Sequence, residues 1–275
     1  MTSHQLRFAV NCSLVFADLP VLERAAAAAT AGFTAVEFWW PFATATPADD
    51  EVDAFVDSIS AAGVRLVGLN FFAGDMSAGD RGVVSWPGRE SEFRDSVAVA
   101  ADIGRRLGTR VFNALYGNRI DALPPQAQDE AALDNLLAAA TAIDAIGGRV
   151  VLEPVSGCDR YPLRTAGDAL DVITRLERLG GPGNVGLLAD LYHLAVNGDD
   201  VDAVIATATD RIAHIQIADA PGRQEPGTGD LPLDDWLAAA EKAGYGGWVG
   251  LEYKASSADR AFEWLSRARR AAPVH

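Results

Sequence analysis

The strongest constraint on the fold of this chain is an eightfold alternation of two kinds of segment. Short apolar runs rich in β-branched and aromatic residues alternate with longer, alanine-rich amphipathic stretches, a pattern typical of β-strands that are each followed by an α-helix. The predicted strands are Arg7–Asn11, Ala35–Phe38, Arg65–Asn70, Arg110–Ala114, Arg149–Glu153, Val185–Asp190, Ile212–Ile217 and Trp248–Tyr253. The predicted helices are Leu22–Ala31, Ala48–Ala62, Glu90–Leu107, Ala127–Ile146, Ala166–Leu179, Val201–Ala208, Leu233–Ala243 and Ser257–Arg270. Glycines suited to end a helix at positive φ follow six of them, at Gly32, Gly63, Gly108, Gly147, Gly180 and Gly244.

Eight strand–helix units predict a single-domain α/β protein, a (β/α)8 or TIM barrel spanning residues 1–275. The units average about 34 residues in a chain of 275, which matches the roughly 250-residue size of such barrels. No linker or change of composition divides the chain. The alternative is an open, doubly wound sheet, but the glycine-rich phosphate-binding motif that usually follows its first strand is missing after Asn11.

The charge of the chain argues against a nucleic-acid partner. It has 38 acidic and 23 basic residues, a net charge of −15, whereas affinity for a phosphate backbone comes mainly from clustered lysine and arginine. The first residues lack the features of a signal peptide, no apolar run reaches the roughly 18 residues that span a bilayer, and two cysteines are too few for a disulfide framework. We therefore expect a cytoplasmic protein without a membrane segment.

Four oxygen-bearing side chains stand at the carboxyl ends of predicted strands five to eight. They are Glu153, Asp190, Gln216 and Glu252. Because the carboxyl ends of barrel strands form the active rim and these four strands are neighbours, we expect the side chains to converge on one point. Three carboxylates so close together would raise one another's pKa unless a cation lay between them. An all-oxygen set favours Mg²⁺ or Mn²⁺ over zinc.

Each polar residue near the rim also has a purely structural interpretation. A strand-end acid can cap a helix or pair with an arginine. His193, three residues after Asp190, could reach a substrate oxygen or bond only within its loop. His214 would point into the barrel one layer below Gln216, as a buried structural or a functional histidine. Glu37, near the end of strand two, could bind a substrate hydroxyl or orient an arginine.

Two long loops and several aromatic side chains are expected beside the rim. Phe71–Gly88 and Pro221–Pro232 each follow a predicted strand. Long loops at this position are often lids, although glycine- and proline-rich turns account for them as well. The aromatic residues that could exclude water from a pocket are Phe38, Trp39, Trp40, Phe71 and Phe72.

Five strings at or after the predicted strand ends form a specific set. They are Leu152-Glu153-Pro154, Asp190-Leu191-Tyr192-His193, His214-Ile215-Gln216-Ile217-Ala218-Asp219, Glu225-Pro226-Gly227-Thr228-Gly229 and Leu251-Glu252-Tyr253-Lys254. This set resembles the hydroxypyruvate isomerase family of the xylose-isomerase-like barrels, and the resemblance extends from about Asn11 to Lys254. It implies that the four strand-end residues bind the metal and that Glu153 and Glu252 also form the acid–base pair.

The candidate substrate contacts lie around the same rim. They are His193, Arg223, Lys254, Glu37 and Asn70. Arg160, Arg223 or Lys254 could bind a substrate carboxylate. The chain departs from the family, which usually has His at the position of Gln224 and Glu at that of Asp230, and it also differs over 156–163. These changes lie where the family would hold its substrate, so they bear on the identity of the substrate more than on the type of reaction.

The resemblance implies an aldose–ketose isomerisation of a small hydroxy-carbonyl acid. Hydroxypyruvate would become 2-hydroxy-3-oxopropanoate (tartronate semialdehyde) through an enediolate, with one glutamate taking a proton from carbon and the other returning one, or with a single base doing both. The alternatives are a 2-oxo-tetronate isomerase, a ketose 3-epimerase with the same metal site, and a non-catalytic metal-binding barrel. Barrel endonucleases bind several zinc ions through many histidines, and this chain has four. The oligomeric state stays open, a homo-oligomer included.

Overall fold

Eight parallel strands form a closed barrel. The structure, a computed structural model, describes residues 4–257 and 260–271. The strands follow one another around the barrel in chain order, and β8 pairs with β1. Their bounds are β1 Arg7–Asn11, β2 Ala35–Phe38, β3 Arg65–Asn70, β4 Val111–Asn113, β5 Arg149–Leu152, β6 Val185–Asp190, β7 Ile212–Ile217 and β8 Trp248–Leu251. The predicted TIM barrel is confirmed.

Helices cover the outside of the sheet. They are α1 Cys12–Val15, α2 Arg24–Thr30, α3 Asp49–Ala62, α4 Glu90–Leu107, α5 Pro125–Asp144, α6 Ala166–Arg178, α7 Leu191–Asn197, α8 Val201–Ala208, α9 Leu233–Lys242 and α10 Arg267–Arg270, with 3₁₀ turns at Val21–Glu23 and Thr209–Arg211. Each long helix buries one apolar stripe against the strands, as α4 does with Phe93, Val97 and Ala100. Within the described part of the chain, no helix has the combination of length and hydropathy that a bilayer crossing requires.

The helix ends follow the sequence prediction. All six of the expected glycines have positive φ. Gly63 and Gly108, for example, stand directly after α3 and α4 with φ of 67° and 75°. A residue with a Cβ adopts this left-handed conformation only at a cost, so glycine ends the helix and turns the chain toward the next strand.

The predicted eighth helix, Ser257–Arg270, is largely wrong. Of its described residues, the α-helical ones are Arg267–Arg270, while turns occupy 260–264. The carbonyls that a helix would use here are bound by side chains: Tyr253 Oη donates to Ala261 O, and the Arg270 guanidinium donates to the carbonyls of Phe262 and Leu265. Such side-chain bonds compete with the helical pattern. Residues 258 and 259 lie outside the described part of the chain.

Two irregular pairings align the polar ends of the strands. Between β6 and β7 the register shifts after Leu187, so that Asp190 lies beside Gln216. Between β2 and β3 it shifts after Val36, so that Glu37 lies beside Gly68. Shifts of this kind re-aim side chains and are common next to functional sites. They determine which polar side chains become neighbours at the rim.

Candidate active site

Four acidic or imidazole side chains meet at the carboxyl ends of β5, β6 and β8. Glu153 and Glu252 each come one residue after their strand, while Asp190 is the last residue of β6 and His193 lies in the first turn of α7. All four are buried, and one potential ligand atom from each lies within 4.8 Å of the others. The predicted convergence of three carboxylates is therefore present, in a buried cluster that could bind a metal ion.

Gln216, on the strand next to that of Asp190, offers a further oxygen beside this cluster. It pairs with Asp190 across β6 and β7. Gln216 Oε1 and Asp190 Oδ2 are both buried and have no hydrogen-bond partner among the described residues. A buried polar atom without a partner is costly, and two such oxygens on adjacent strands, beside two further carboxylates, are what a divalent cation would satisfy. The donor set thus fits the predicted metal.

The electrostatics of the cluster point the same way. Burial raises the pKa of Glu153 well above its usual value, and the nearby charges of Glu252 and Asp190 raise it further. Burial also raises the pKa of Glu252; Arg223 opposes this shift, and Asp190 and Glu37 add to it. Both shifts reflect negative charge held in a dry site, which a cation would relieve.

Asp190 also has a structural role, which its other carboxylate oxygen performs. Its Oδ1 accepts hydrogen bonds from the backbone N–H groups of Tyr192 at 2.9 Å and His193 at 3.3 Å. This carboxylate therefore caps the amino terminus of α7, a helix absent from the sequence prediction. The cap places His193 directly over the cluster while leaving Oδ2 unbound.

The hydrogen bonds of His193 favour a substrate role over metal ligation. Its Nδ1 accepts from the backbone N–H of Ser156 at 3.0 Å, and burial lowers its pKa to about 4, although Asp190 opposes the shift. A neutral ring whose Nδ1 is an acceptor carries its proton on Nε2. That nitrogen lies 3.6 Å from Asp190 Oδ2 and 3.8 Å from Glu153 Oε1. His193 is thus arranged as a hydrogen-bond donor to the site.

Neutral donors hold the two glutamates. Asn113 Nδ2 donates to Glu153 Oε2 at 2.6 Å, and Trp39 Nε1 donates to Glu252 Oε1 at 2.7 Å. Trp39 was expected only as a pocket wall, and Asn113 was missed. The available signal for Asn113 was its position, since it is the last residue of β4 as Asp190 is of β6.

Arg223 lies at the edge of the cluster, on the loop after β7. Its φ is 56°, an uncommon conformation for a residue with a side chain. Its guanidinium bonds to Glu252 Oε2, lies 3.7 Å from Asp190 Oδ2 and stacks 5.6 Å from the centre of the Tyr192 ring. This is a strong positive group beside the carboxylates and within reach of a bound anion.

A cavity of about 140 Å³ lies over the cluster. Its lining residues are Trp39, Asn70, Met76, Arg81, Leu115, Glu153, Val155, His193, Arg223 and Glu252. Both long loops contribute to it, the first through Met76 and Arg81 and the second through Arg223. A larger groove of about 680 Å³ runs along the outer wall beside α9, and none of the predicted metal ligands lines it.

The other predicted substrate contacts fall into three places. Asn70 lines the cavity. Glu37 does not line the cavity; both its oxygens contact protein side chains deeper in the barrel, which favours its structural interpretation over contact with a substrate. Lys254 is exposed and is not among the lining residues, although its backbone N–H donates to Arg223 O at 2.8 Å. Arg160 is exposed as well.

Comparison with known proteins agrees with this fold and site. A family model described as xylose isomerase-like TIM barrel matches residues 25–271. The chain belongs to this family. The strand-end motifs resemble those of the hydroxypyruvate isomerases. This resemblance is confirmed by relatives of that name, which match the chain over nearly its whole length.

Relatives of this chain carry isomerase names. A putative hydroxypyruvate isomerase of Streptomyces coelicolor is 50% identical over 97% of this chain and 98% of its own length. The hydroxypyruvate isomerase of Escherichia coli is 32% identical, covering 96% of this chain and 100% of the relative. A 2-oxo-tetronate isomerase of Cupriavidus necator is 34% identical, covering 94% and 97%. The chain is thus similar to isomerases of small hydroxy-keto acids.

Solved structures share the barrel. One from Brucella melitensis, described as AP endonuclease, family 2, has a TM-score of 0.84 and 32% identity and covers 94% of this chain and 98% of that one. A D-psicose 3-epimerase from Clostridium cellulolyticum has a TM-score of 0.71 at 18% identity, covering 97% and 96%. At that identity the epimerase shows the fold alone.

Proposed function

We propose that this protein is a divalent-metal-dependent isomerase that converts hydroxypyruvate to 2-hydroxy-3-oxopropanoate through an enediolate. The observation that carries the proposal is the buried cluster of Glu153, Asp190 and Glu252 with the unpaired Gln216 oxygen, under a small cavity that also contains Arg223. Paired carboxylates, a cation site and a basic anchor are the parts that proton transfer next to a carboxylate-bearing carbonyl requires.

The metal would be held by Glu153, Asp190, Gln216 and Glu252. Their all-oxygen set suits Mg²⁺ or Mn²⁺. When bound, such an ion would stabilise the negative charge that develops on the substrate oxygens as the proton leaves carbon, an effect worth several kcal/mol.

The two glutamates are proposed to move the protons. One takes a proton from the hydroxymethyl carbon of hydroxypyruvate, and the other returns a proton to the former carbonyl carbon. The hydroxyl proton passes from the hydroxymethyl oxygen to the former carbonyl oxygen, and proton exchange with solvent restores both glutamates. Their positions fit this task, because both glutamates are buried and line the cavity, where bulk water is excluded from the reacting carbon atoms. Asn113 and Trp39 fix the rotation of the two carboxyl groups through the hydrogen bonds described above.

The remaining polar groups are proposed to hold the substrate. Arg223 would bind its carboxylate, which a planar guanidinium does well. His193 would donate its Nε2 proton to a substrate oxygen, and Asn70 offers a further amide on the cavity wall. The cavity of about 140 Å³ suits a three- or four-carbon acid, since pockets for drug-sized ligands start at roughly 300 Å³.

We propose that the substrate is a small molecule and that the protein is cytoplasmic. A small-molecule substrate fits the cavity, and the two free cysteines, Cys12 and Cys158, fit a reducing compartment such as the cytoplasm. The endonuclease activity named in the description of one structural relative does not fit this chain. Its charge of −15 opposes binding to a phosphate backbone, and the described cluster contains one histidine, whereas a multi-zinc site needs several.

The proposal is tested by a substrate panel on chelator-treated protein. Hydroxypyruvate, 2-oxo-tetronates and free ketoses are assayed without metal and after addition of Mg²⁺ or Mn²⁺. We expect no turnover without metal, recovery with either ion, and the highest kcat/KM for hydroxypyruvate. A preference for 2-oxo-tetronates would instead favour the activity for which the C. necator relative is named, and turnover that survives complete metal removal would contradict the mechanism.

Replacing Arg223 with lysine should raise the KM for hydroxypyruvate about 10- to 100-fold. Lysine keeps the charge but loses the forked donor geometry that matches a carboxylate, and a hydrogen bond to a charged group contributes about 1.5–3 kcal/mol. The variant Lys254→Met, which changes an exposed residue outside the cavity, should change KM less than about 3-fold. The reverse pattern in steady-state kinetics would assign the carboxylate to Lys254.

A further inference from the structure

A second buried polar network lies directly beneath the proposed metal site. Its centre is Glu37, which is 3% exposed. Glu37 Oε1 accepts hydrogen bonds from Gln216 Nε2 at 2.6 Å and Asn11 Nδ2 at 2.9 Å, and Oε2 lies 2.7 Å from His214 Nε2. Three nitrogen donors thus surround one carboxylate in the interior of the barrel.

Two glycines on other strands leave space for this carboxylate inside the barrel. A Cβ atom at Gly250 of β8 would lie 2.5 and 2.6 Å from the two Glu37 oxygens, closer than any ordinary contact. A Cβ atom at Gly68 of β3 would lie 3.3 Å from Glu37 Cβ. The register shift after Val36 is what places Glu37 beside Gly68. Two glycines and an irregular pairing therefore reserve the space that an apolar side chain fills in an ordinary barrel layer.

The contact with Glu37 determines which end of the Gln216 amide faces the cluster. A carboxylate can only accept hydrogen bonds, so it binds the NH₂ end of the amide. The oxygen end of Gln216 is then turned away from Glu37, and it is this Oε1 atom that is buried without a partner among the described residues. With the amide reversed, an oxygen would face an oxygen at the Glu37 contact.

Asn11 connects the same carboxylate to Glu252. Its Oδ1 accepts from the backbone N–H groups of Ser13 and Leu14 and so caps α1. Its Nδ2 therefore points the other way, toward Glu37 Oε1 at 2.9 Å and Glu252 Oε1 at 3.1 Å. The amide of Asn11 cannot reverse without losing the cap.

We infer that Glu37 is a positioning residue that makes Gln216 a metal ligand by holding its amide with the oxygen toward the carboxylates. The inference rests on the proposed function, because it presumes the ion, but it concerns a residue that does not touch the substrate. His214 and Asn11 keep Glu37 in place. Partners of this kind behind a ligand typically change metal affinity 10- to 100-fold when they are lost.

The test is calorimetric titration of the full-length, chelator-treated protein with Mn²⁺. Glu37→Gln should weaken binding about 10- to 100-fold, because the new NH₂ group competes to face Gln216 and allows its amide to turn. Gly250→Ala should also weaken Mn²⁺ binding, because the added methyl group displaces the Glu37 carboxylate while every polar group stays in the protein. It keeps the inference testable if the first variant does not fold.

The matched control is Asn184→Ala. Asn184 is also buried, and its Nδ2 donates to the carbonyls of Ala140 and Gly148, but it lies at the opposite end of the barrel, just before β6. It should lose stability in thermal unfolding and keep its Mn²⁺ affinity within about 3-fold of the unmodified protein. A general loss of stability therefore cannot mimic the expected result.

A double-variant comparison separates positioning from packing. If Glu37 acts through Gln216, then Glu37→Gln should cost less than about 3-fold in Mn²⁺ affinity when Gln216 is already alanine. An equal cost in both backgrounds, or unchanged affinity of Glu37→Gln, overturns the inference while the proposed metal site stands. If the unmodified protein binds no Mn²⁺ or Mg²⁺, the inference and the metal-dependent function both fail.

Discussion

Each of the single variants Glu153→Gln and Glu252→Gln should lower kcat for hydroxypyruvate at least about 100-fold. Positioned acid–base catalysis contributes roughly 10²–10⁴ in rate, and glutamine keeps an oxygen for a cation while removing the ability to exchange a proton. Both side chains are nearly fully buried, at 4% and 3% exposure. Water is therefore a poor substitute for the missing base.

Exchange with solvent deuterium distinguishes two bases from one. With two bases, the variant that lacks the proton acceptor stops deuterium incorporation at the hydroxymethyl carbon, while the other variant still exchanges but forms little product. With a single base, one variant loses both exchange and turnover, and the other is affected chiefly in metal affinity. Mass spectrometry of recovered substrate and product measures both quantities.

A third glutamate supplies the control for this pair. Glu225 stands on the same rim and is 4% exposed, but its carboxylate binds the backbone N–H and the hydroxyl of Ser256 and does not line the cavity. Glu225→Gln should lower kcat less than 10-fold. Near-normal turnover in both Glu153→Gln and Glu252→Gln would refute the acid–base roles.

The sequence was sufficient to predict the barrel because the signals for strands, helices and helix ends are local. Alternating strand and helix patterns, and glycines such as Gly63 and Gly108 after helices, depend on neighbouring residues. The strand-end rule then brought together Glu153, Asp190 and Glu252 without any knowledge of contacts. The same local reasoning failed for Ser257–Arg270, where bonds from Tyr253 and Arg270 to backbone carbonyls replace the helix in its described part.

The parts of the site that escaped prediction depend on contacts that local sequence patterns do not reveal. Asp190 and Gln216 were predicted to converge, but the one-residue register shift that lays them side by side leaves no trace in an alternating pattern. The bond from Trp39 to Glu252 joins residues 213 positions apart. The tautomer of His193 depends on the backbone of Ser156. No local pattern reports any of these.

One regularity in the sequence did indicate the amide donors of the site. Strands β1, β3 and β4 all end on asparagine, at Asn11, Asn70 and Asn113. This half of the rim therefore offers amide donors to the acidic half, and two of the three use them, Asn113 on Glu153 and Asn11 on Glu252. The third lines the cavity. Each of these two donors lies on the strand next to that of its glutamate, and such bonds orient the carboxylates before any ligand arrives.

Replacing Asp190 with asparagine should stabilise the metal-free protein and abolish its response to metal. Asp190 is fully buried, and its Oδ2 has no hydrogen-bond partner among the described residues. Its nearest positive group, Arg223 Nη2, is 3.7 Å away and also bonds Glu252. Three carboxylates thus share one guanidinium, and an uncompensated buried charge is destabilising.

Asparagine keeps what Asp190 contributes to the fold. Its Oδ1 can still accept from the N–H groups of Tyr192 and His193 and cap α7. A gain of about 1 kcal/mol would raise Tm by roughly 2–4 °C in a protein of similar size. Added Mg²⁺ or Mn²⁺ should stabilise the unmodified protein by binding its folded state but leave Asp190→Asn unchanged, and turnover of the variant should fall at least about 100-fold.

Asp190→Asn is thus expected to be more stable than the unmodified protein without metal, but far less active. Opposite effects of this kind identify a buried charge that is retained for ligand binding at the expense of stability. Asp129 provides the contrast, because its Oδ1 accepts 2.8 Å hydrogen bonds from both Tyr116 and Arg119. Asp129→Asn should therefore lower Tm, since it removes a paired charge. Two outcomes of thermal unfolding would contradict this prediction: a lower Tm for metal-free Asp190→Asn than for the metal-free unmodified protein, or an equal rise in Tm of both proteins with Mn²⁺. Asp190 would then be a structural helix cap, and the cation would have to bind elsewhere.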